Sequence, residues 1–271
     1  MACRLFSLIF CGLFLQSLLT AQDARVPSPP TEKEIALGRT LAAELEAEAG
    51  RVSDAAVVAF VESITLELAE ASGTQTFLTV QVLDSPEAAA HSLPGGFLLV
   101  RSGLVAGVET TAEFAGVLAH EIAHIAAGHG NRQASTPPGQ PAARIVPMIY
   151  LGGRMGSCAR VGERSTVPVA FLARAGRQEE EADMLALEYL DRARYDPNAL
   201  VEAFDRLPRQ GTPEAARMTS AVRGKAREYS PNGRPYISTS SAFDAIRKQL
   251  SESSLQRQSE NAPSLRLPVE P

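Results

Sequence analysis
The sequence predicts a mainly helical α+β domain, with a small β-sheet lying beside one apolar helix. Apolar residues recur at helical spacing over long stretches on both sides of the chain's centre. The period changes to two over a short central stretch. A run of small and apolar residues, interrupted only by histidine and glutamate, then follows a strong N-cap signal.

Taken in order, Met1-Ala2-Cys3-Arg4, the apolar run Leu5 to Leu19 and Thr20-Ala21-Gln22 read as a signal peptide spanning 1–21, cut after Ala21. The run is short against the roughly 20 residues of a membrane span, so an uncleaved anchor is the lesser reading. Pro27, Pro29 and Pro30 make 22–31 a linker. Helices are expected over Glu32–Ala49 and Ser53–Ala71. Leu78, Val80 and Val82 alternate with Thr79 and Gln81, which predicts a half-buried strand over Thr76–Leu83. Pro94-Gly95-Gly96 is a turn, and Phe97–Val100 suits a second strand. Thr110 and Glu113 have capping-box spacing ahead of the helix Phe114–Ala127, which Gly128 and Gly130 stop. Residues 131–167, rich in Pro, Gly and Ser with an apolar patch at Ile145–Leu151, read as a long loop or cover. A helix from Ala173 to Arg194 ends at Asp196-Pro197, where Asp can cap and Pro can open another helix. The folded domain is placed at 32–250, and 251–271 reads as a polar, disordered tail.

Composition narrows the function. The chain has 271 residues, 45% hydrophobic and 21% charged, with a formal net charge of −5. Those proportions are ordinary for a globular protein able to bury a core. No basic excess or block is present, so a nucleic-acid partner is excluded. Cys3 and Cys11 would leave with the signal peptide, and Cys158 alone cannot form an intrachain disulfide. An exported chain of this kind depends on its core, helped by a metal if one binds.

His120-Glu121-Ile122-Ala123-His124 supplies the chemistry. Residues four apart share one helical face, so both imidazoles can reach one Zn²⁺ at about 2.0–2.1 Å. Glu121 projects beside them as a general base. The flanks are small or apolar, and polar side chains in a buried helix are costly unless paired or metal-bound. Three of the chain's four histidines fall within ten residues. The third ligand is histidine or glutamate. A metzincin would carry Gly at 127 and His at 130, whereas the chain has Ala127 and Gly130. His129, nine residues after His120, would face the opposite side of a continued helix and reads instead as a helix-terminal histidine facing the dipole. The acidic run Glu179-Glu180-Glu181 and Asp183 remains, with Glu179 and Asp183 on one face. If Glu179 ligates zinc, Asp183 can accept the free ring N–H of a ligating histidine.

These motifs, in their order, resemble the zinc metallopeptidase family of the CaaX prenyl endopeptidases, HtpX and periplasmic BepA-type proteases. The resemblance covers about 32–205. It rests on Leu93-Pro94-Gly95-Gly96 leading to Ser102-Gly103-Leu104, on Glu113 to Ala119 running into the His-Glu motif, and on His129. Arg177, Glu179-Glu180-Glu181-Ala182-Asp183 and Tyr195-Asp196-Pro197 complete it. It implies a zincin fold of gluzincin type, one Zn²⁺ per chain, Glu179 as third ligand and Asp183 as the residue orienting a histidine. It also implies that an extended edge near Gly95 and Gly96 receives substrate as an added strand. The chain departs from the family before the Pro-Gly-Gly turn, where Ala88 to Ser92 replaces the usual Asn-containing segment. It departs again at Ser238 to Phe243, where a His-Pro is usual. Arg247 and Tyr236 are candidates to stabilise the oxyanion in place of that histidine, and His91 reads as an ordinary strand or surface residue.

The expected function is therefore a zinc-dependent endopeptidase acting on exported or envelope proteins, periplasmic or secreted. Membrane contact is expected only through an uncleaved signal segment. The alternative is a chaperone-like or scaffold protein of envelope assembly with a latent or structural zinc site. A deformylase would need a reactive cysteine upstream of the His-Glu helix, and Cys158 lies downstream.

Overall fold
The computed structural model describes residues 29–130, 176–207, 213–229 and 235–260. The expected signal peptide, most of the linker, the 131–167 segment with Cys158, and the last residues of the tail lie outside the described residues.

Local rules fix the first two helices. Helix α1, Glu32–Ala49, opens on a complete capping box: the Glu34 N–H donates to Thr31 Oγ1 and the Thr31 N–H donates to Glu34 Oε2. Helix α2, Ala55–Ser72, starts where Asp54 accepts the N–H groups of Ala56 and Val57, and ends at Gly73 in the left-handed region.

Three strands follow: β1 Thr79–Leu83, β2 Ala90–Leu93 and β3 Phe97–Arg101. Their order is β1-β3-β2, with β3 parallel to β1 and antiparallel to β2. The expected two-strand element is thus three-stranded, and the missed strand is β2. Between β2 and β3, Pro94-Gly95-Gly96 forms a single buried 3-10 turn. Both glycines have positive φ, and a Cβ on Gly95 would sit 2.5 Å from Ile35 Cα. Gly38 lets α1 approach the same turn, since a Cβ there would lie 1.9 Å from Pro94 O.

The sheet separates two apolar clusters according to strand alternation. Phe97 and Leu99 pack with Leu41, Ala42, Leu83 and Leu93 beneath α1. Leu98 and Val100 face the main core, formed with α2 and the later helices.

A short helix α3, Ser102–Gly107, leads to α4, Thr111–Ala126, in which every residue from Thr111 to Ile125 is buried. A helix apolar all round is a core helix. Helix α5, Gly176–Ala193, lies against α4 and α2, and α6, Asn198–Arg206, crosses α4 where Gly116 faces the Leu200 backbone. Asp196 Oδ1 accepts the Asn198 N–H just ahead of α6, whose N-cap is Pro197 rather than the expected Asp196 and makes no side-chain cap bond. Helix α7, Pro213–Tyr229, packs on α5 and α6. Helix α8, Ser241–Glu260, packs on α2 and α3, bringing Phe243 within about 6 Å (ring centroids) of both Phe60 and Phe114. It runs ten residues past Leu250, so the first part of the expected disordered tail is helical. No helix among the described residues is long and apolar enough to cross a membrane.

Candidate metal centre
The site is built on the second half of α4. Thr110 Oγ1 accepts the Glu113 N–H, which starts the helix in the register that turns residues 120 and 124 to one side. Glu113 does not close the expected capping box on Thr110. Its carboxylate accepts the Glu109 N–H instead and pairs with Arg206 of α6 at 3.1 Å. The start of α4 is thereby tied to α6.

The nitrogen atoms of His120 and His124 meet the carboxylate of Glu179 from the first turn of α5. His120 Nε2 lies 3.0 Å from His124 Nε2 and 3.3 Å from Glu179 Oε2, and His124 Nε2 lies 3.5 Å from Glu179 Oε1. Arms of about 2.0–2.1 Å in a tetrahedron separate neighbouring ligand atoms by about 3.3–3.4 Å. These three side chains have the spacing and donor chemistry to hold one metal ion.

The outward nitrogens support the same reading. His120 Nδ1 lies 2.9 Å from Asp183 Oδ1, a fully buried carboxylate one turn beyond Glu179, although the approach is oblique to the ring N–H. His124 Nδ1 lies 2.7 Å from His129 Nδ1, and His129 Nε2 lies 3.1 Å from Glu181 Oε2. A carboxylate on Nδ1 favours the tautomer whose Nε2 carries a lone pair. Lone pairs and a carboxylate converging in a buried place call for a cation. Burial by itself would depress the basicity of His120, but Asp183 and Glu179 outweigh it and raise its pKa to about 9.

Glu121 is 7% exposed and turns toward the sheet. Its Oε2 accepts the Ser92 N–H at 2.8 Å and the Ser92 hydroxyl at 2.7 Å. Ser92 is on β2, an edge strand, so Glu121 is bonded to the backbone of a sheet edge.

The expected residues divide clearly. His120, Glu121, His124, Glu179 and Asp183 come together, with Asp183 beside the ring of His120. His129, expected as a helix-terminal histidine facing the dipole, is fully buried and bonded to His124. The helix ends at Ala126, and Gly128, at φ +66, turns the chain back. The continued-helix geometry therefore does not apply. Gly95 and Gly96 form a buried turn rather than an extended edge, and the edge strand beside them is β2, one element earlier. Gly96 does border a small cavity with Ser92, Leu93 and His124. Tyr236 donates to Asp191 Oδ1, twelve residues past Glu179 on α5, about 18 Å along the helix. Arg247 lines a depression with Ala106 and Asp244 that shares no residue with the histidine cluster. Neither is placed to stabilise an oxyanion at the cluster. The Ser238–Ser240 segment docks at the start of α4, where Ser238 O accepts the Ala112 N–H and the Ser240 N–H donates to Thr111 Oγ1. His91 lies in β2 opposite Leu99, half-buried. Sequence reasoning missed Ser92. Its polar side chain two residues before the Pro-Gly-Gly turn, where the missed strand ends, was the available signal.

Proteins similar to this chain in sequence are named as proteases. The chain is 23% identical over 222 residues to the beta-barrel assembly-enhancing protease of Yersinia pestis, covering 74% of this chain and 44% of that protein. It is 21% identical over 187 residues to the protein of the same name from Escherichia coli K12, covering 65% and 37%. It is 26% identical over 163 residues to a putative beta-barrel assembly-enhancing protease of Vibrio cholerae, covering 58% and 34%. The chain spans less than half the length of these curated relatives. Residues 55–249, well over half of the chain and including every residue of the cluster, match Peptidase family M48, and the chain belongs to that family.

Proposed function
We propose that the protein is a zinc-dependent endopeptidase that hydrolyses peptide bonds in exported or envelope proteins. The observation that carries this reading is the meeting of His120, His124 and Glu179 at ligand spacing, beside a general-base carboxylate held by an edge strand. Their two imidazoles and one carboxylate would hold the ion and leave a position open. A zinc ion bound there supplies Lewis-acid polarisation of the scissile carbonyl and acidifies a water.

The chain's own groups do the rest. Glu121 Oε1 or Oε2 takes a proton from the attacking water and delivers it to the leaving amine. Ser92 fixes the carboxylate with two donors, so its orientation is set before substrate arrives. β2 is an edge strand beside Glu121, and an extended peptide added along it would lay the scissile bond beside that carboxylate. Asp183 holds the plane of His120. Names of the relatives support envelope proteins as the substrate class. The N-terminal apolar segment supports a leader over 1–21 and a periplasmic or secreted location, with the peptidase domain over 32–250.

Glu121→Gln tests the reading. Casein hydrolysis should fall by about 10²–10⁴-fold with zinc still bound. Hydrolysis by that variant at the parent rate would reject it.

One observation favours the second reading, a chaperone-like or scaffold role with a latent zinc site. The 238–240 segment caps the start of α4, about 14 Å along the helix from His120, and Tyr236 and Arg247 are engaged elsewhere. Client binding by both parent and Glu121→Gln, with no peptide product from the parent, would select that role.

A further inference from the structure
The two proposed histidine ligands are held in different ways. His120 meets a buried carboxylate directly, while His124 meets a second histidine that leads to the surface. We infer that His129 and Glu181 are a positioning pair that fixes the ring plane and tautomer of His124, so that its Nε2 presents a lone pair to the metal. The inference rests on the metal site proposed above and assigns to it two residues outside the ligand set.

The proton count leads to this arrangement. Glu181, with its side chain 53% exposed, offers a carboxylate that accepts and does not donate. His129 Nε2, 3.1 Å from Glu181 Oε2, therefore carries the proton between them. A neutral imidazole has one N–H, so His129 Nδ1 bears a lone pair. It lies 2.7 Å from His124 Nδ1, a separation that holds a single proton. That proton belongs to His124 Nδ1, which leaves the lone pair of a neutral His124 on Nε2, the atom that faces His120 Nε2 and Glu179. The opposite polarity, with His129 donating from both nitrogens, would put the His124 proton on Nε2 and block the ligand atom. His129 is fully buried and the two rings meet edge to face at 66°, with centroids 4.9 Å apart, so the pair has a defined geometry.

Glu181 is two residues beyond Glu179 on α5. One helix turn thus supplies both the third ligand atom and the far end of the chain that orients the second histidine. Outer hydrogen-bond partners of this type contribute about 10–100-fold to metal affinity.

The test uses the full chain and zinc itself. Affinity is measured at one fixed pH by competition with a chromogenic chelator, and Co²⁺ substitution reports ligand geometry in its visible absorption. His129→Leu should weaken zinc binding by about 10–100-fold and change the Co²⁺ spectrum. His129→Asn, whose side-chain oxygen can accept near the place of Nδ1, should recover much of the affinity. Glu181→Ala, a change at the surface, should give a smaller loss with parental thermal stability of the metal-free protein.

Parental affinity and spectrum in His129→Leu and Glu181→Ala would overturn the inference while leaving the metal site intact. Equal losses in His129→Asn and His129→Leu would also overturn it, because packing alone would then explain them. If His129→Leu does not fold, the Asn and Glu181 variants decide. A parent chain that takes up no zinc would overturn the proposed function, and this inference with it.

Discussion
Two of the three candidate ligands come from the middle of α4, where every side chain from Thr111 to Ile125 is buried; the third comes from the first turn of α5, where Glu179 is 27% exposed between Arg177 and Glu180, both exposed. The α4 pair is set by packing: Phe114 stacks with Phe60 and Phe243, Gly116 admits α6, and Arg206 ties Glu113 to α6. The α5 ligand is more exposed than the α4 pair, at 27% against 8% and 0% for the side chains of His120 and His124. Helix ends leave backbone groups unsatisfied and are held by what they contact. The lesson is one of division. Folding of the core prepares two imidazoles, and a cation bound there would join them to a carboxylate from the more exposed start of α5.

The comparison can be broken most severely at α4 itself. His124→Ala removes a ligand and the partner of His129 together, so zinc affinity should fall further than the roughly 10–100-fold expected from loss of an outer partner. Hydrolysis should vanish with it. Retained stoichiometric zinc, read by elemental analysis after gel filtration, would mean that α4 does not supply the pair.

A smaller but still large effect is expected in the packing behind the ligands. Phe114 is fully buried, with ring centroids 5.8 Å from Phe60 and 6.4 Å from Phe243. Phe114→Ala should destabilise the protein by about 3–5 kcal/mol in denaturant melts, through lost transfer free energy and the cavity left behind. A loss below about 1 kcal/mol would show that the three-ring cluster is not what sets α4.

The most modest effect concerns protons. In the metal-free protein the His120 pKa is about 9, above its ordinary 6.5. A group whose folded pKa is raised contributes stability that is complete below its unfolded pKa and is lost as pH rises through the folded one. Metal-free protein should therefore lose stability between about pH 6.5 and 9. The zinc-loaded protein, with His120 already deprotonated, should lack that loss. Identical pH profiles for the two forms would place the cation elsewhere than on His120.

Much of this arrangement was legible in the sequence, because its parts are local. The His-Glu spacing, the Thr110 cap and the pairing of Glu179 with Asp183 all depend on one helical period. What was not legible depends on distant partners or on one turn. Strand β2 is Ala-His-Ser-Leu, with little β propensity of its own, and exists because β3 pairs with it. Ser92 reaches Glu121 only once that pairing is made. His129 was misplaced because nine residues were counted along a helix that stops after six, at Ala126, and then turns at Gly128. The sequence carried the stop signal in its two glycines, but the direction of the returning chain is a tertiary fact. Tyr236 and Arg247, candidates for the task of the absent downstream histidine, are held elsewhere by contacts with α5 and α3.

Zinc titration of the parent beside Glu179→Ala addresses the union of α4 and α5 most directly. One zinc per parent chain is expected, with affinity in Glu179→Ala reduced by more than the roughly 10–100-fold that an outer partner contributes. A Glu179→Ala protein that binds one zinc as tightly as the parent would contradict the joining of the two helices through a shared cation.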